Sequence, residues 1–360
     1  MLTQRKELNF EGQNIYTGID VHLKSWTVSI LTETLSHKRF TVPPQPEVLA
    51  RYLKEKFPGA SYYSAYEAGF SGFEAHYRLL ELGICNIVIN PADVPTTQKE
   101  QYHKSDSVDS YKIARSLRAG ELTPIHVLGY ETLEERSLIR TRSMLVKDMT
   151  RFKLRIKSFL YFYGISYPTQ FSKAQNHWTL RFIKWLKEDI AMKCPSGKDS
   201  LFALVAEVEN QRKILLEINR KIRDLSHTDK YAKPAQLIQS VPGIGIVNAM
   251  TFLTEIEDIN RFKDTDHLAS FVGLIPKYHS SGEKESTGEM TFRGLGCLKQ
   301  VLVESSWIAA RIDPALSLAF NTYVKRMPAN KAIIRIARKL LNRIYYVLKN
   351  DRMYVAGVVK

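Results

Sequence analysis

The chain has 360 residues and carries 44% hydrophobic and 25% charged residues with a net charge of +15, a composition that excludes wholesale disorder and a low-complexity scaffold and suits two or three packed domains. No run approaches the roughly 20 apolar residues of a membrane helix, and the polar start Met1–Glu7 carries no apolar signal region, so neither secretion nor membrane spanning is expected. Cys85, Cys194 and Cys297 lie far apart, are odd in number and match no zinc spacing, which excludes a disulfide framework and suits a reducing cytoplasm.

In chain order, Asn14–Asp20, Trp26–Leu31 and Lys38–Val42 read as three strands with short connections. Residues 46–57 read as a helix, Tyr62–Tyr66 as a strand, 72–82 as a helix, Asn86–Ile89 as a strand and Asp106–Ala119 as a helix. Hairpin-linked strands first and crossover helices later is the order of a ribonuclease-H-type sheet. From 133 to 162 one long helix is expected, with Leu138, Leu145, Met149, Phe152, Ile156 and Phe159 near helical spacing, and Pro168 with the polar stretch 169–176 interrupts it. A second long helix over 200–226 carries Leu201, Leu204, Val208, Gln211, Leu215, Ile218, Ile222 and Leu225 in alternate steps of three and four, the seam of a coiled coil with one polar position. Such a seam needs a helical partner, and the sequence leaves open both the 133–162 helix of the same chain and the matching helix of another copy.

From 234 onward a compact helical domain is expected. Pro242, Gly243 and Gly245 break one helix and residues 246–256 restart another, a helix-hairpin-helix signature. Glycines there leave backbone N–H groups at a helix N-terminus free to hold a phosphate without reading bases, although an ordinary tight turn between packed helices uses the same residues. The fold class is therefore α/β followed by all-α, with domains at 13–128, 129–232 and 233–350.

The charge is unevenly spread. Residues 1–120 hold 14 basic and 13 acidic residues, whereas 136–157 hold eight basic residues against Asp148 alone and 325–349 hold eight with no acid, so these two stretches account for the whole excess. Two such runs beside a nearly neutral N-terminal part point to nucleic acid rather than to solvated helix faces. The candidate contacts are Lys104, then Arg151, Lys153, Arg155 and Lys157, the turn glycines Gly243 and Gly245, and Arg335, Arg338 and Lys339.

Four acids carry the chemistry. Asp20 ends the first strand, Glu67 follows the fourth, and Asp106 and Asp109 share one face at the start of a helix. In a ribonuclease-H-type sheet that face lies over Asp20 and Glu67. Carboxylate oxygens are the ligands of Mg²⁺ or Mn²⁺, and such a cluster suits two ions flanking a scissile phosphate, which implies phosphodiester transfer or cleavage. Each acid alone has a plain alternative, such as capping a helix, and it is their order on this strand pattern that argues for a site. His22 and His103 are phosphate contacts or solvated side chains.

The segments Tyr16-Thr17-Gly18-Ile19-Asp20, Tyr66-Glu67-Ala68-Gly69, Lys104-Ser105-Asp106-Ser107-Val108-Asp109, Pro242-Gly243-Ile244-Gly245 and Gly273-Leu274-Ile275-Pro276, followed by Ser280-Ser281-Gly282, occur in this order. Together they resemble the insertion-sequence transposases with an N-terminal RuvC-like DEDD domain and a C-terminal serine domain, the bridge-RNA-guided recombinases, to which the Piv-type invertases are related. The resemblance covers roughly 15–120 and 235–315. It implies that Asp20, Glu67, Asp106 and Asp109 bind Mg²⁺ and that Ser281 attacks DNA to form a covalent phosphoserine link. It further implies assembly from dimer to tetramer, one copy's serine serving another copy's acids. The partners it implies are double-stranded DNA at element ends and target, and a noncoding guide RNA. The chain departs from the pattern in having Ser110 where alanine is usual, and Ser280 beside Ser281 with Ser286 nearby.

Read on its own, Ser281 falls in the loop Lys277–Gly282, and a serine hydroxyl is a poor nucleophile without a base or a metal. Arg293 and Lys299 downstream are phosphate contacts or exposed side chains. The competing readings are a Holliday-junction endonuclease, which needs the carboxylates but no serine, a protein-guided invertase, and a nucleic-acid-binding protein on a decayed catalytic fold. Gly18-Ile19-Asp20 also opens actin-like ATPases, but no second glycine-rich phosphate loop follows.

Overall fold

The computed structural model describes residues 9–97, 105–281, 284–291 and 293–357, with the backbone alone for 277–281 and 284–289. The chain divides into two compact units, Met1–Leu128 and Gly129–Lys360.

The first unit is built on a five-stranded sheet of order β3-β2-β1-β4-β5, from β1 (Asn14–Val21), β2 (Trp26–Leu31), β3 (Ser36–Val42), β4 (Ser61–Glu67) and β5 (Cys85–Ile89). β1 runs antiparallel to β2 and parallel to β4, and β4 is parallel to β5, an arrangement compatible with the expected ribonuclease-H-like domain. Strand side chains alternate between faces, so the sheet has two distinct sides. On one, Ile15, Ile19, Val28 and Tyr66 are buried against Leu49 and Leu53 of helix α1 (Pro46–Lys56) and Leu79 of α2 (Glu74–Glu81). On the other, Ala65 and Ile89 pack with Ile113 of α3 (Asp106–Arg118). Helix α3 starts at Ser105, whose hydroxyl accepts from the Val108 amide, and it carries Asp106 and Asp109 in its first turn and Arg115 and Arg118 in its last, each sign where the helix dipole favours it.

The second unit opens with α4 (Tyr130–Phe162), followed by α5 (Leu180–Glu188) and α6 (Pro195–Leu225). Helix α6 packs along α4 of the same chain, one of the two partners the seam left open. Its buried positions are Leu201, Val205, Val208, Leu215 and Ile222. A cluster of Ile156, Leu160, Phe171, Phe182, Trp185 and Leu201 closes the far end, and there α5 is a helix that the sequence reading did not foresee. The remaining helices, α7 (Ala232–Gln239), α8 (Ile246–Ile256), α9 (Thr265–Val272), α10 (Gly296–Ile312), α11 (Pro314–Val324) and α12 (Ala329–Lys349), share a second core that includes Ile238, Phe252, Leu268, Leu302, Ile336 and Leu340. Between α9 and α10 lies an antiparallel hairpin of β6 (Pro276–Ser281) and β7 (Lys284–Met290). The segment expected as a loop at 277–282 is therefore a strand up to Ser281, and its polar residues offered no alternating apolar signal from which to read one.

Candidate active site

The acid cluster follows from the sheet and one glycine. β1 and β4 run parallel with Ile19 opposite Tyr66, so Asp20 and Glu67 come next on neighbouring strands. Both belong to the side facing α3. Gly18 lets that helix come close: a Cβ there would lie 2.0 Å from the Ser110 carbonyl oxygen and 2.4 Å from the Ala114 nitrogen. The Ser110 hydroxyl meets Ser29 Oγ on β2 at 2.9 Å in the buried interface, which gives a physical role to the residue standing where alanine is usual. With α3 seated so, its first turn lies over the end of β1.

His22 Nε2 is 3.2 Å from Asp20 Oδ2 and 3.7 Å from Asp106 Oδ2. One ligand atom from each of Asp20, His22 and Asp106 lies within 4.8 Å of the others. Two carboxylates and an imidazole at that spacing fit a divalent cation of the Mg²⁺ or Mn²⁺ kind, whose bonds are about 2.0–2.2 Å long, with a small closing of the side chains. The second half of the cluster is joined by a lysine. Lys112 Nζ donates to Asp109 Oδ1 at 3.1 Å and lies 3.6 Å from Glu67 Oε1, with its side chain only 9% exposed. Burial lifts the Asp20 carboxyl above its ordinary range; His22 opposes this, and the charges of Asp106 and Asp109 add to it. The four predicted acids thus gather at one end of the sheet. His22 and Lys112 join them, one two residues after Asp20 and the other one helical turn after Asp109. That spacing was the available signal for both.

The nucleic-acid candidates are more dispersed. Lys104 and His103 lie outside the described residues. On α4, Arg151 pairs with Asp148 at 2.9 Å, Arg155 lies over the Phe152 ring, and Lys153 lies over the Trp178 ring. Burial, Arg212 and Lys157 push the Lys153 ammonium below its ordinary range. Lys153, Trp178, Arg212 and Lys213 line one groove between α4, α6 and the start of α5. On α12, Arg335 and Lys339 are exposed, Arg335 lying over Tyr323, whereas Arg338 is paired with Asp266.

Gly243 has φ +84°, and a Cβ there would lie 2.3 Å from the Ser305 carbonyl oxygen of α10, so close helix packing alone requires a glycine. Gly245 begins α8 with open space around its Cα.

Ser281 ends β6, opposite Lys284 of β7. The root of this hairpin is held firmly. A Cβ on Gly273 would lie 2.2 Å from the Arg293 carbonyl oxygen, Thr291 N–H donates to the Ile275 carbonyl at 3.1 Å, and Lys299 Nζ donates to the carbonyls of Thr291 and Arg293 at 3.0 and 2.9 Å. Lys299, read from sequence as a phosphate contact or an exposed cation, instead ties backbone oxygens.

Comparison with known proteins finds two matched regions. A model of the DEDD transposase of IS110 matches residues 17–165, which include all four acids, and the model of the Transposase IS116/IS110/IS902 family matches residues 235–321, which include Ser281. A Sinorhizobium fredii relative named as a transposase is 28% identical over 68% of this chain, a match that spans 58% of that relative and so less than two thirds of its length. The transposase for insertion sequence element IS1111A of Coxiella burnetii is 25% identical over 78% of this chain and 76% of its own, and the pilin gene-inverting protein of Moraxella bovis is 34% identical over 33% and 38%. With these two matches spanning both the acid-bearing and the serine-bearing parts of the sequence, the chain carries the DEDD transposase domain of IS110 and the transposase domain of the IS116/IS110/IS902 family.

Proposed function

We propose that the chain is a site-specific DNA recombinase that mobilises an insertion element, cutting and rejoining strands of double-stranded DNA through a serine–DNA link. The observation that carries this reading is the meeting of Asp20, Glu67, Asp106 and Asp109 at one end of the sheet. Asp20, His22 and Asp106 would hold a divalent ion, Mg²⁺ or Mn²⁺, which when bound supplies positive charge to phosphate oxygens and to a departing alkoxide. Ser281 Oγ attacks phosphorus; an O–P bond forms to serine and one bridging P–O bond breaks. The departing deoxyribose oxygen gains a proton as the serine loses one. Rejoining is the reverse, with the hydroxyl of a second strand displacing serine. Residues 13–128 serve as the catalytic domain, 129–232 as a helical arm and 233–350 as the serine domain.

Arg151, Lys153, Arg155, Lys157, Arg335, Arg338 and Lys339 contact phosphates, with Trp178 beside Lys153 suited to stacking on a base. A noncoding RNA guide and assembly from dimer to tetramer complete the proposal, on the strength of the family resemblance. The test uses a plasmid carrying the DNA that flanks the reading frame. Wild-type protein leaves a DNA-linked species of reduced mobility after denaturation, whereas Ser281→Ala and Asp20→Asn leave none while retaining DNA binding. An undiminished adduct with Ser281→Ala refutes the serine, and cleaved ends without any adduct support the endonuclease reading instead. Similarity to the pilin gene-inverting protein favours inversion as a second outcome, recognised when the segment between two sites changes orientation rather than leaving.

A further inference from the structure

The sequence pattern suggested two metal ions, but one feature of the cluster argues for a different division of charge. We propose that Lys112 is a built-in second cation: its ammonium group holds the place between Glu67 and Asp109, so that the site takes one divalent ion, at Asp20, His22 and Asp106. This rests on the metal-assisted reading above.

Lysine is rarely buried, and it stays charged inside a protein when carboxylates surround it. Lys112 has such surroundings, with its side chain 9% exposed and its Nζ 3.1 Å from Asp109 Oδ1 and 3.6 Å from Glu67 Oε1. Ions in two-metal sites sit about 3.5–4 Å apart and bind oxygens at about 2.0–2.2 Å. An ion shared by Glu67 and Asp109 would therefore need the volume that Nζ fills, and it would meet a positive charge at contact distance. Among the described residues no lysine pairs with Asp20, His22 or Asp106, and the ligand atoms of these three already lie within 4.8 Å of one another. Lys112 acts through the two carboxylates it holds and is a positioning residue.

The experiment counts Mn²⁺ bound to full-length protein without DNA, by calorimetry and by the electron paramagnetic resonance signal of free Mn²⁺. Wild type is expected to bind one ion, lost in Asp20→Asn. Lys112→Met is expected to bind two, and Lys112→Arg one. Two ions in wild type overturn the inference while leaving the metal reading intact, as does a folded Lys112→Met that binds only one. No Mn²⁺ in wild type overturns the metal reading and the inference with it. Should Lys112→Met fail to fold, as judged by circular dichroism, the wild-type count decides alone.

Discussion

Gly18 shows how a single missing side chain places a cluster of carboxylates. Its hydrogen faces the backbone of α3, and the distances of 2.0 and 2.4 Å to an added Cβ are far below contact, so Gly18→Ala must push the helix away. The expected result is a loss of roughly 1–3 kcal/mol in stability, the usual range for overpacking, measured by urea unfolding. Mn²⁺ affinity should fall as well, because Asp106 and Asp109 move with the helix. Retained affinity with unchanged stability would show that α3 is not seated by this contact. The four acids were legible as candidates in the sequence because each stands at the end of a strand or in the first turn of a helix. Lys112 was not: in a helix a lysine reads as a solvated residue, and only the approach of β4 turns it into a buried counterion. His22 was read as a phosphate contact or a solvated side chain, and its place between Asp20 and Asp106 shows only once the first turn of α3 is seated over β1.

At the scale of elements, α4 is tied to α8 by charge. Arg140 Nε and Nη2 donate to the two oxygens of Glu255 at 2.7 and 2.9 Å, and Arg136 Nη1 lies 3.6 Å away, while Glu255 itself is 3% exposed. Arg140→Met removes the better partner of a buried carboxylate, and a loss of roughly 1–3 kcal/mol is expected from unfolding curves. Glu255→Gln should lose less, since the amide still accepts from one guanidinium. Equal losses would count against the charge as the cause. The long helices were readable from their periodicity, and so were the first-unit strands, because apolar residues recur at the spacing each element demands. The β6–β7 hairpin and α5 were not. In the hairpin, Lys, His, Ser, Glu and Thr dominate, and pairing is decided by what lies across the turn rather than by an apolar face. In α5 the pattern is short, and its Phe182, Trp185 and Leu186 are buried only because α4 and α6 meet there.

For the whole molecule, the acids and the serine lie in separate units of the chain, which makes complementation informative. If one copy's serine serves another copy's acids, a mixture of Asp20→Asn and Ser281→Ala proteins contains pairs with one intact centre. Such mixtures are expected to restore part of the DNA-linked adduct, roughly a quarter of the wild-type level for random pairing of equal amounts in which one of the four donor–acceptor combinations is intact. No restoration in a mixture shown to co-assemble would place both groups of a working centre in one copy.

The hairpin root offers a different kind of consequence. A close crossing at Gly273 and one lysine hold its base, while Ser281 lies at the far end of β6. A ribbon anchored in this way works as a ruler. Inserting one residue in each strand advances the tip by about 3.3 Å, but it also turns every following side chain to the opposite face. The position of Ser281 can therefore be advanced without turning it to the opposite face only in double steps, so that lineages which lengthen or shorten this ribbon should differ by an even number of residues per strand.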